Sequence, residues 1–226
     1  MKVYHIYLLR HGLTQGNEKG QYVGRLDMPL SAGGERQLEK LAKDHQYPQA
    51  EAYFSSPLSR CVRSMEILYP DVQPLLIDGL AECNFGEYEG KTLDELKGET
   101  SYQNWVSGLR SGDSSAAPPA GESSADFQLR TCRAFVQIAE RLMRSGTTRA
   151  VIMAHGGTIM TILGMFAMPR RPFYQWMAGN GMGYEALLTP QLWMNGRVIE
   201  VAGTVPGLPE GEGLAGCGPI ISDFSR

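Results

Sequence analysis

Leu9, Arg10, His11 and Gly12 directly follow an apolar run from Val3 to Leu8. Such a run is typical of a buried β-strand, and open α/β sheets bind ligands beyond the carboxyl ends of their strands. An unperturbed imidazole is largely neutral at pH 7 and can therefore act as a nucleophile. The planar guanidinium of Arg10 suits phosphate, and Gly12 lets the backbone approach a ligand closely. These residues predict a phosphate site with His11 as the nucleophile.

A second apolar run, Ala150–Ala154, leads into the tripeptide His-Gly-Gly at residues 155–157. Parallel strands end at the same edge of a sheet, so both histidines are expected there. A helix is predicted to follow from about Thr158 until Pro169 ends it. The amides and the dipole at the start of that helix favour an anion at the same edge.

Arg60 is a second arginine expected at this edge. After a short strand predicted at 52–54, Ser56 as N-cap and Pro57 at the first helical position would begin a helix. Arg60 then lies in the first turn. Because helical side chains lean towards the N-terminus, Arg60 can reach back to the sheet edge.

The elements that must position these residues alternate between strand-like and helix-like segments, which predicts a parallel sheet covered by helices. Helical spacing of apolar residues predicts helices over 31–45, over 92–109 with an interruption near Gly98, and over 124–144. Ser31 and Ser123 are the candidate N-caps. Further strands are predicted at Leu75–Ile77, and in a final hairpin of Tyr184–Leu188 and Val198–Val201 joined around Asn195-Gly196.

The predicted fold is therefore three-layer α/β, with a mostly parallel central sheet flanked by helices. It places one domain at residues 1–202 and a small helical cap insertion at about 92–124, where residues 110–124 are rich in Gly, Ser, Ala and Pro. The Gly- and Pro-rich tail, 203–226, is predicted to be extended or partly disordered.

The composition of the 226 residues, with 42% hydrophobic and 20% charged side chains, is that of an ordinary soluble protein. A net charge of -3 argues against a general nucleic-acid or anionic-membrane surface. The N-terminus lacks a signal-peptide layout, and the apolar stretch Ile159–Met168 is too short to span a bilayer. Cys61, Cys83, Cys132 and Cys217 form no C-x-x-C pair, so we expect free thiols in a reducing cytoplasm. No metal-ligand cluster is found in the sequence, and neither a metal nor a cofactor is expected.

Five motifs, in order over about residues 3–189, resemble those of the histidine phosphatase superfamily, which includes cofactor-dependent phosphoglycerate mutases. R-H-G-x-T-x-x-N is present as Arg10, His11, Gly12, Thr14 and Asn17. The patterns S-x-x-x-R, E-x-x-F-G-x-x-E-G, G-E-S and H-G-G are similar to residues 56–60, 82–90, 121–123 and 155–157.

The resemblance implies a metal-independent reaction in which His11 attacks phosphorus and becomes phosphohistidine. It implies that the transferring phosphoryl group is bound by Arg10, Arg60 and His155, with Asn17, Gly156 and Thr14 also binding the substrate. It further implies that Glu82 protonates the departing alkoxide and then activates water, and that the second histidine, residue 155, works best as a cation.

Some assignments stay open in the sequence. Glu87 or Glu89 could be the acid instead of Glu82, and Thr14 could simply pack or cap. Ser123 is expected to cap the long helix, with Glu122 beside it, rather than bind substrate.

The pattern after Glu82 resembles the phosphatase branch, which includes α-ribazole phosphatases, more than the phosphoglycerate mutases. Hydrolysis of a small phosphorylated metabolite is therefore the expected activity. A mutase and a non-catalytic phosphate binder are the alternatives, and the substrate and the oligomeric state stay open.

Overall fold

One sheet runs through residues 2–207, which are the residues that this computed structural model describes. Its strands are β1 (Tyr4–Arg10), β2 (Ala52–Ser55), β3 (Leu75–Leu76), β4 (Arg149–Ala154), β5 (Ala167–Met168), β6 (Gly183–Leu188) and β7 (Ile199–Val205). They lie in the order β3-β2-β4-β1-β6-β7-β5. Among these strands only β6 is antiparallel to its neighbours, β1 and β7. The predicted mostly parallel α/β sheet is confirmed.

Helices cover both faces of this sheet. The helices within the described residues are α1 (Gln15–Glu18), α2 (Ala32–Asp44), α3 (Ser59–Leu68), α4 (Leu93–Leu96), α5 (Thr100–Ser111), α6 (Ser124–Ser145), α7 (Gly156–Phe166) and α8 (Pro190–Gly196). Short 3₁₀ turns occur at Asp78–Leu80, Gly86–Tyr88 and Phe173–Trp176. Helices α6 and α7 pack on one face, and α2 and α3 pack on the other, which gives the three predicted layers.

Strand β1 is the centre of both cores. Ile6 and Leu8 pack in the core that includes α6 and α7, whereas Tyr7 and Leu9 pack in the core that includes α2 and α3. A strand buried on both faces reads as a continuous apolar run, which is why this segment was recognisable without an alternating pattern.

The pairing of β1 with β4 positions the two histidines. The strands are parallel, and Arg10 is opposite Ala154 in their register. His11 and His155 are the next residues on each strand, so both leave the sheet at the same edge.

Helix α6 confirms the prediction for residues 124–144. The Ser123 side chain accepts a hydrogen bond from the Asp126 amide at 3.1 Å, and Gly146 at φ 75° ends the helix in the left-handed region. All five residues of the predicted apolar stripe are buried, namely Phe127, Thr131, Phe135, Ile138 and Leu142.

Helices α4 and α5 belong to a separate small core. They are interrupted between Leu96 and Thr100, close to the predicted break at Gly98. Most of the buried side chains in this core are aromatic, and its members are Tyr22, Tyr88, Leu96, Tyr102, Trp105 and Val106. The cap residues therefore bury their apolar side chains among themselves and against the loop that follows α1.

The start of α3 and both ends of α7 differ from the predictions. Helix α3 begins at Ser59, because the Ser56 hydroxyl contacts His155 instead of capping a helix that starts at Pro57. Helix α7 begins at Gly156 rather than Thr158. It ends at Phe166, before Pro169, because the next two residues pair with β7 as strand β5.

The predicted final hairpin is correct in its pairing and wrong in its turn. Strands β6 and β7 are antiparallel, but α8 connects them. Thr189 caps this helix and Pro190 occupies its first position, so Asn195-Gly196 ends a helix rather than forming a tight turn. Strand β7 continues to Val205, beyond the predicted boundary at residue 202. The tail from residue 208 lies outside the described residues.

The shorter predicted elements agree closely with the structure. Helix α2 is capped by Ser31, and the strand predicted at 75–77 forms as β3.

Cys61, Cys83 and Cys132 are free thiols, and Cys217 lies outside the described residues. Within residues 2–207 we find no helix long and apolar enough to cross a membrane.

Candidate active site

The turn after β1 is held by side chains from two other segments. The Gly12 amide donates to the Ser64 hydroxyl of α3 at 2.9 Å. The side-chain amide of Asn180 donates to the His11 carbonyl at 3.0 Å. Ser64 and Asn180 carried no sequence signal, because neither lies in a motif and only the tertiary fold brings them to the turn.

The His11 ring has a defined tautomer. Its Nδ1 lies 2.6 Å from the Gly12 carbonyl, which can only accept, so Nδ1 carries the proton and donates. The lone pair is therefore on Nε2. Burial, followed by the charges of Arg60 and Arg10, lowers the pKa of His11 well below its usual value. The imidazole is neutral at pH 7, as a nitrogen nucleophile must be.

His155 has the opposite tautomer. Arg60 Nε donates to its Nδ1 at 3.3 Å, so the proton is on Nε2, which donates to Ser56 Oγ at 2.8 Å. Burial and the charge of Arg60, followed by His11 and Arg10, lower the pKa of His155 well below its usual value. These surroundings favour a neutral ring, and a cationic His155 beside bound phosphate stays a prediction. A nearby anion would have to offset the two arginines before this ring could take a proton.

Arg60 lies behind the histidine pair, whose ring centroids are 5.1 Å apart. It is fully buried, and besides His155 it donates to the carbonyls of Leu26 at 3.1 Å and Gly24 at 2.6 Å. Arg60 thus reaches back from the first turn of α3 to the sheet edge, as predicted. Its Nε, Nη1 and Nη2 atoms all donate hydrogen bonds to groups of the protein itself.

Glu82 follows the 3₁₀ turn Asp78–Leu80, and its carboxyl group contacts the first turn of α7. Its Oε1 accepts from the Cys83 amide at 2.9 Å, and its Oε2 accepts from the Gly157 amide at 2.8 Å. Burial raises the pKa of Glu82, although the two amides and the nearby Arg60 and Arg10 act against this shift. The raised pKa favours the protonated carboxyl that a general acid needs.

Gly157 allows this contact. A Cβ at this position would overlap Glu82 Oε1 and lie 3.0 Å from Cδ. The second glycine of His-Gly-Gly therefore leaves room for the Glu82 carboxyl group. The Gly157 amide, which we expected to favour a bound anion, donates to this carboxyl group instead.

The two alternative carboxylates lie elsewhere. Glu87 is exposed. Glu89 accepts hydrogen bonds from the amides of Arg25 at 2.7 Å and Phe85 at 3.0 Å. Neither carboxylate lines the cavity that contains His11.

Arg130 on α6 braces the segment that carries Glu82. Its guanidinium donates to the carbonyls of Ala81 at 2.7 Å and Glu82 at 2.8 Å. It also forms a bidentate pair with Glu122, at 2.6 and 2.8 Å. The sequence did not indicate this role of Arg130, because an arginine on an amphipathic helix has the same spacing whether it faces solvent or pairs with a carboxylate.

A cavity of about 300 Å³ opens at this edge of the sheet. The predicted site residues that line it are Arg10, His11, Asn17, Glu82 and Gly156. Arg60 and His155 lie outside its lining and are fully buried. Thr14 is also buried, and its hydroxyl accepts from the Asn17 amide at 3.1 Å as the N-cap of α1. The capping alternative for Thr14 thus agrees with its contacts.

Comparison with known proteins adds to this geometry. Residues 6–187 match the histidine phosphatase superfamily (branch 1). The chain belongs to this superfamily. It is 31% identical over 209 residues to a probable phosphoglycerate mutase of Escherichia fergusonii, covering 90% of this chain and 94% of the relative. It is also 31% identical over 162 residues to a putative phosphoserine phosphatase 2 of Hydrogenobacter thermophilus, covering 70% and 76%.

A crystal structure of a putative α-ribazole-5′-P phosphatase from Escherichia coli shares the fold. The TM-score is 0.73 at 22% identity, with 88% of this chain and 94% of that chain covered. The phosphatase and mutase names among its relatives mark this histidine phosphatase superfamily member as an enzyme. In the part of the chain that the structure describes, no three His, Cys, Asp or Glu side chains are grouped to hold a metal ion.

We predict opposite tautomers for the two active-site histidines of this superfamily member. In ¹⁵N NMR spectra at pH 7, His11 should be protonated on Nδ1, because the Gly12 carbonyl can only accept, and His155 on Nε2, because Arg60 donates to its Nδ1. The variants His11→Gln and His155→Gln assign the signals. Signals of a doubly protonated ring at pH 7 would contradict the prediction.

The same burial should make the fold sensitive to acid. A histidine whose pKa is lowered by folding adds stability that is present above its unfolded value of about 6.5 and is lost as the pH falls below it. The free energy of urea unfolding should therefore decrease from pH 7 to pH 5. The decrease should be smaller in His155→Gln.

We predict that Arg130→Met destabilises the enzyme by about 3 kcal/mol, since it leaves the mostly buried Glu122 and several carbonyls without their donor. Arg133→Met on the exposed side of α6 is the matched control and should change stability little. Urea unfolding measures both. Similar losses in the two variants would show that the Arg130–Glu122 pair does not brace this segment.

Proposed function

We propose that this enzyme hydrolyses a small phosphomonoester through a phosphohistidine on His11, without a metal. The observation that supports this most is the hydrogen bond from His11 Nδ1 to the Gly12 carbonyl. It leaves the lone pair on Nε2 in a cavity that also contains the carboxyl group of Glu82. A nucleophile and an acid are thus available to one bound phosphate.

In the first step, His11 Nε2 attacks phosphorus while the bond from phosphorus to the ester oxygen breaks. Glu82 gives its proton to the departing oxygen. Arg10 and Asn17 line the cavity and bind the phosphoryl oxygens. Arg60 and His155 lie behind them, and Arg60 adds positive charge that stabilises the transition state.

In the second step, Glu82 takes a proton from water and the hydroxide attacks phosphorus. The phosphorus–nitrogen bond breaks, its electron pair returns to Nε2, and inorganic phosphate leaves. The same carboxyl group serves both steps because the first step leaves it deprotonated.

Phosphoglycerate mutase is the second candidate, because a relative that matches 90% of this chain bears that name. The sequence Phe-Gly-Glu-Tyr-Glu-Gly at 85–90 supports the phosphatase branch instead. α-Ribazole phosphate is a candidate substrate through the name of a solved structure with this fold. The free thiols Cys61, Cys83 and Cys132 support a reducing cytoplasm as the site of action.

The variant His11→Ala should lose activity by several orders of magnitude, about as much as removing the nucleophile of other covalent enzymes. Rapid quench of the parent enzyme with ³²P-labelled substrate, in EDTA, should trap an acid-labile, base-stable phosphoenzyme. His45→Gln, at the end of α2, is the control and should be labelled normally. If His11→Ala stays active, or if EDTA abolishes labelling, the mechanism is wrong.

Glu82→Gln should slow phosphorylation by an alkyl phosphate far more than by p-nitrophenyl phosphate. An alkoxide needs a proton as it leaves, whereas p-nitrophenolate does not, and general acid catalysis contributes about 10²–10⁴-fold. Single-turnover phosphorylation rates measure the contrast without the second step. With the alkyl ester, the parent's rate should also fall as rising pH deprotonates Glu82, whose pKa is raised by burial.

Gly157→Ala tests the position of the same carboxyl group. Its Cβ would displace Glu82, so it should reproduce the alkyl-selective loss. Gly203→Ala in β7 is the control, since its Cβ would meet no atom within 4 Å. Equal losses for the alkyl and the aryl ester in Glu82→Gln would show that Glu82 only shapes the pocket.

A further inference from the structure

The cavity has one wall that the proposed reaction does not use. Five of its lining side chains are aromatic, namely Phe85, Trp105, Phe127, Phe173 and Tyr174. They come from the segment that follows Glu82, the cap, α6 and the 3₁₀ turn at 173–176, and we call them the aromatic wall. Flat apolar side chains of this kind bind flat apolar ligand groups by burial and by edge or face contacts.

Part of the aromatic wall is already packed. The Phe85 and Trp105 rings lie 6.1 Å apart, and each makes an edge contact with Tyr22, at 5.2 and 5.9 Å. Tyr22 donates to or accepts from the Tyr102 hydroxyl at 2.7 Å. A surface fixed in this way costs little further ordering when a ligand binds.

Charge is distributed unevenly along the cavity. Among the described residues, Arg10 is the only lysine or arginine that lines it, and it lies at the phosphate end beside His11. The other charged side chains in its lining are the carboxyl groups Glu82 and Glu122. Glu122 is paired with Arg130, so that arginine is already engaged. A second anionic group on the substrate would be desolvated with no lining cation to pair with it, which is costly.

Two further arginines outside the lining act on this end of the cavity. Burial raises the pKa of Tyr174 to about 12, and the charge of Arg110 acts in the opposite direction. Burial and Arg130 lower the pKa of Arg25, and the charge of Glu122 raises it. Both arginines are exposed, and exposed charges stabilise an anion only weakly.

We propose that the alcohol portion of the substrate carries an aromatic ring or a similar flat apolar group and no second anionic group. The volume of about 300 Å³ limits that portion to a small molecule. Uncharged side chains at the same cavity, Gln21, Ser124 and Gln128, can hydrogen-bond neutral polar groups on it. This inference rests on the proposed hydrolysis. It separates the enzyme from substrates such as phosphoglycerate and phosphoserine, which carry a carboxylate.

The test compares three phosphate monoesters that leave as primary alkoxides: 2-phenylethyl phosphate, propyl phosphate and 3-(phosphonooxy)propanoate. Because the three leaving groups are similar, differences in kcat/KM report the contacts that the enzyme makes with the alcohol portion. We expect about a tenfold or larger advantage of the phenylethyl over the propyl ester, and about a tenfold or larger disadvantage of the carboxylate ester.

Two exposed lining residues make the comparison specific. Phe173 is 41% exposed, so Phe173→Ala should fold and should lower kcat/KM for the phenylethyl ester while sparing the propyl ester. Leu192→Ala, a similarly exposed apolar residue outside this cavity, is the control. Gln128→Lys adds a cation to the lining and should raise kcat/KM for the carboxylate ester by about tenfold, leaving the propyl ester unchanged.

The outcomes separate this inference from the proposed function. No phosphate release and no phosphoenzyme with any of the three esters or p-nitrophenyl phosphate would refute the hydrolysis itself. Release from all three, with the carboxylate ester equal to or better than the propyl ester, would overturn only the substrate class. Equal effects of Phe173→Ala on the phenylethyl and propyl esters would also overturn it.

Discussion

The parallel pairing of β1 with β4 is the constraint on which the site depends. Its register sets Arg10 opposite Ala154, so the strands deliver His11 and His155 to one point at the sheet edge. Both rings are then buried beside two arginines, and burial with positive charge keeps them neutral. A shift of one residue in this register would turn the side chains of a strand to the opposite face and separate the pair.

Burial moves the two reacting groups in complementary directions. It lowers the pKa of the His11 imidazole and raises the pKa of the Glu82 carboxyl, since in each case it penalises the charged form. A neutral nucleophile and a protonated acid can then exist at the same pH, whereas at their usual pKa values a neutral imidazole and a protonated carboxyl group dominate in different pH ranges. The arginines favour this state of His11 and oppose that of Glu82, so desolvation is the dominant cause for the carboxyl group.

Sequence reasoning proposed candidate site residues that the structure brings to one sheet edge, because they lie at strand ends and beside glycines, where local patterns are informative. It predicted Ser56 as a helix N-cap, since a serine before proline usually has that role. In the structure the Ser56 hydroxyl is hydrogen-bonded to His155, which is 99 residues away in sequence. It did not find Arg130, whose carbonyl partners at 79–82 meet it only after α6 docks. It also took Asn195-Gly196 for a tight turn, although Thr189 and Pro190 begin a helix there.

The cavity thus has two ends with different construction. The reacting end is made by strand termini and helix starts, where backbone groups such as the Gly12 carbonyl and the Gly157 amide hold the side chains. The other end is made by side chains of the segment that follows Glu82, the cap, α6 and the turn at 173–176. No side chain of the aromatic wall takes part in the His11 hydrogen bond to the Gly12 carbonyl or in the amide contacts of Glu82. Selectivity for the alcohol portion can change on this fold while the phosphoryl chemistry stays the same.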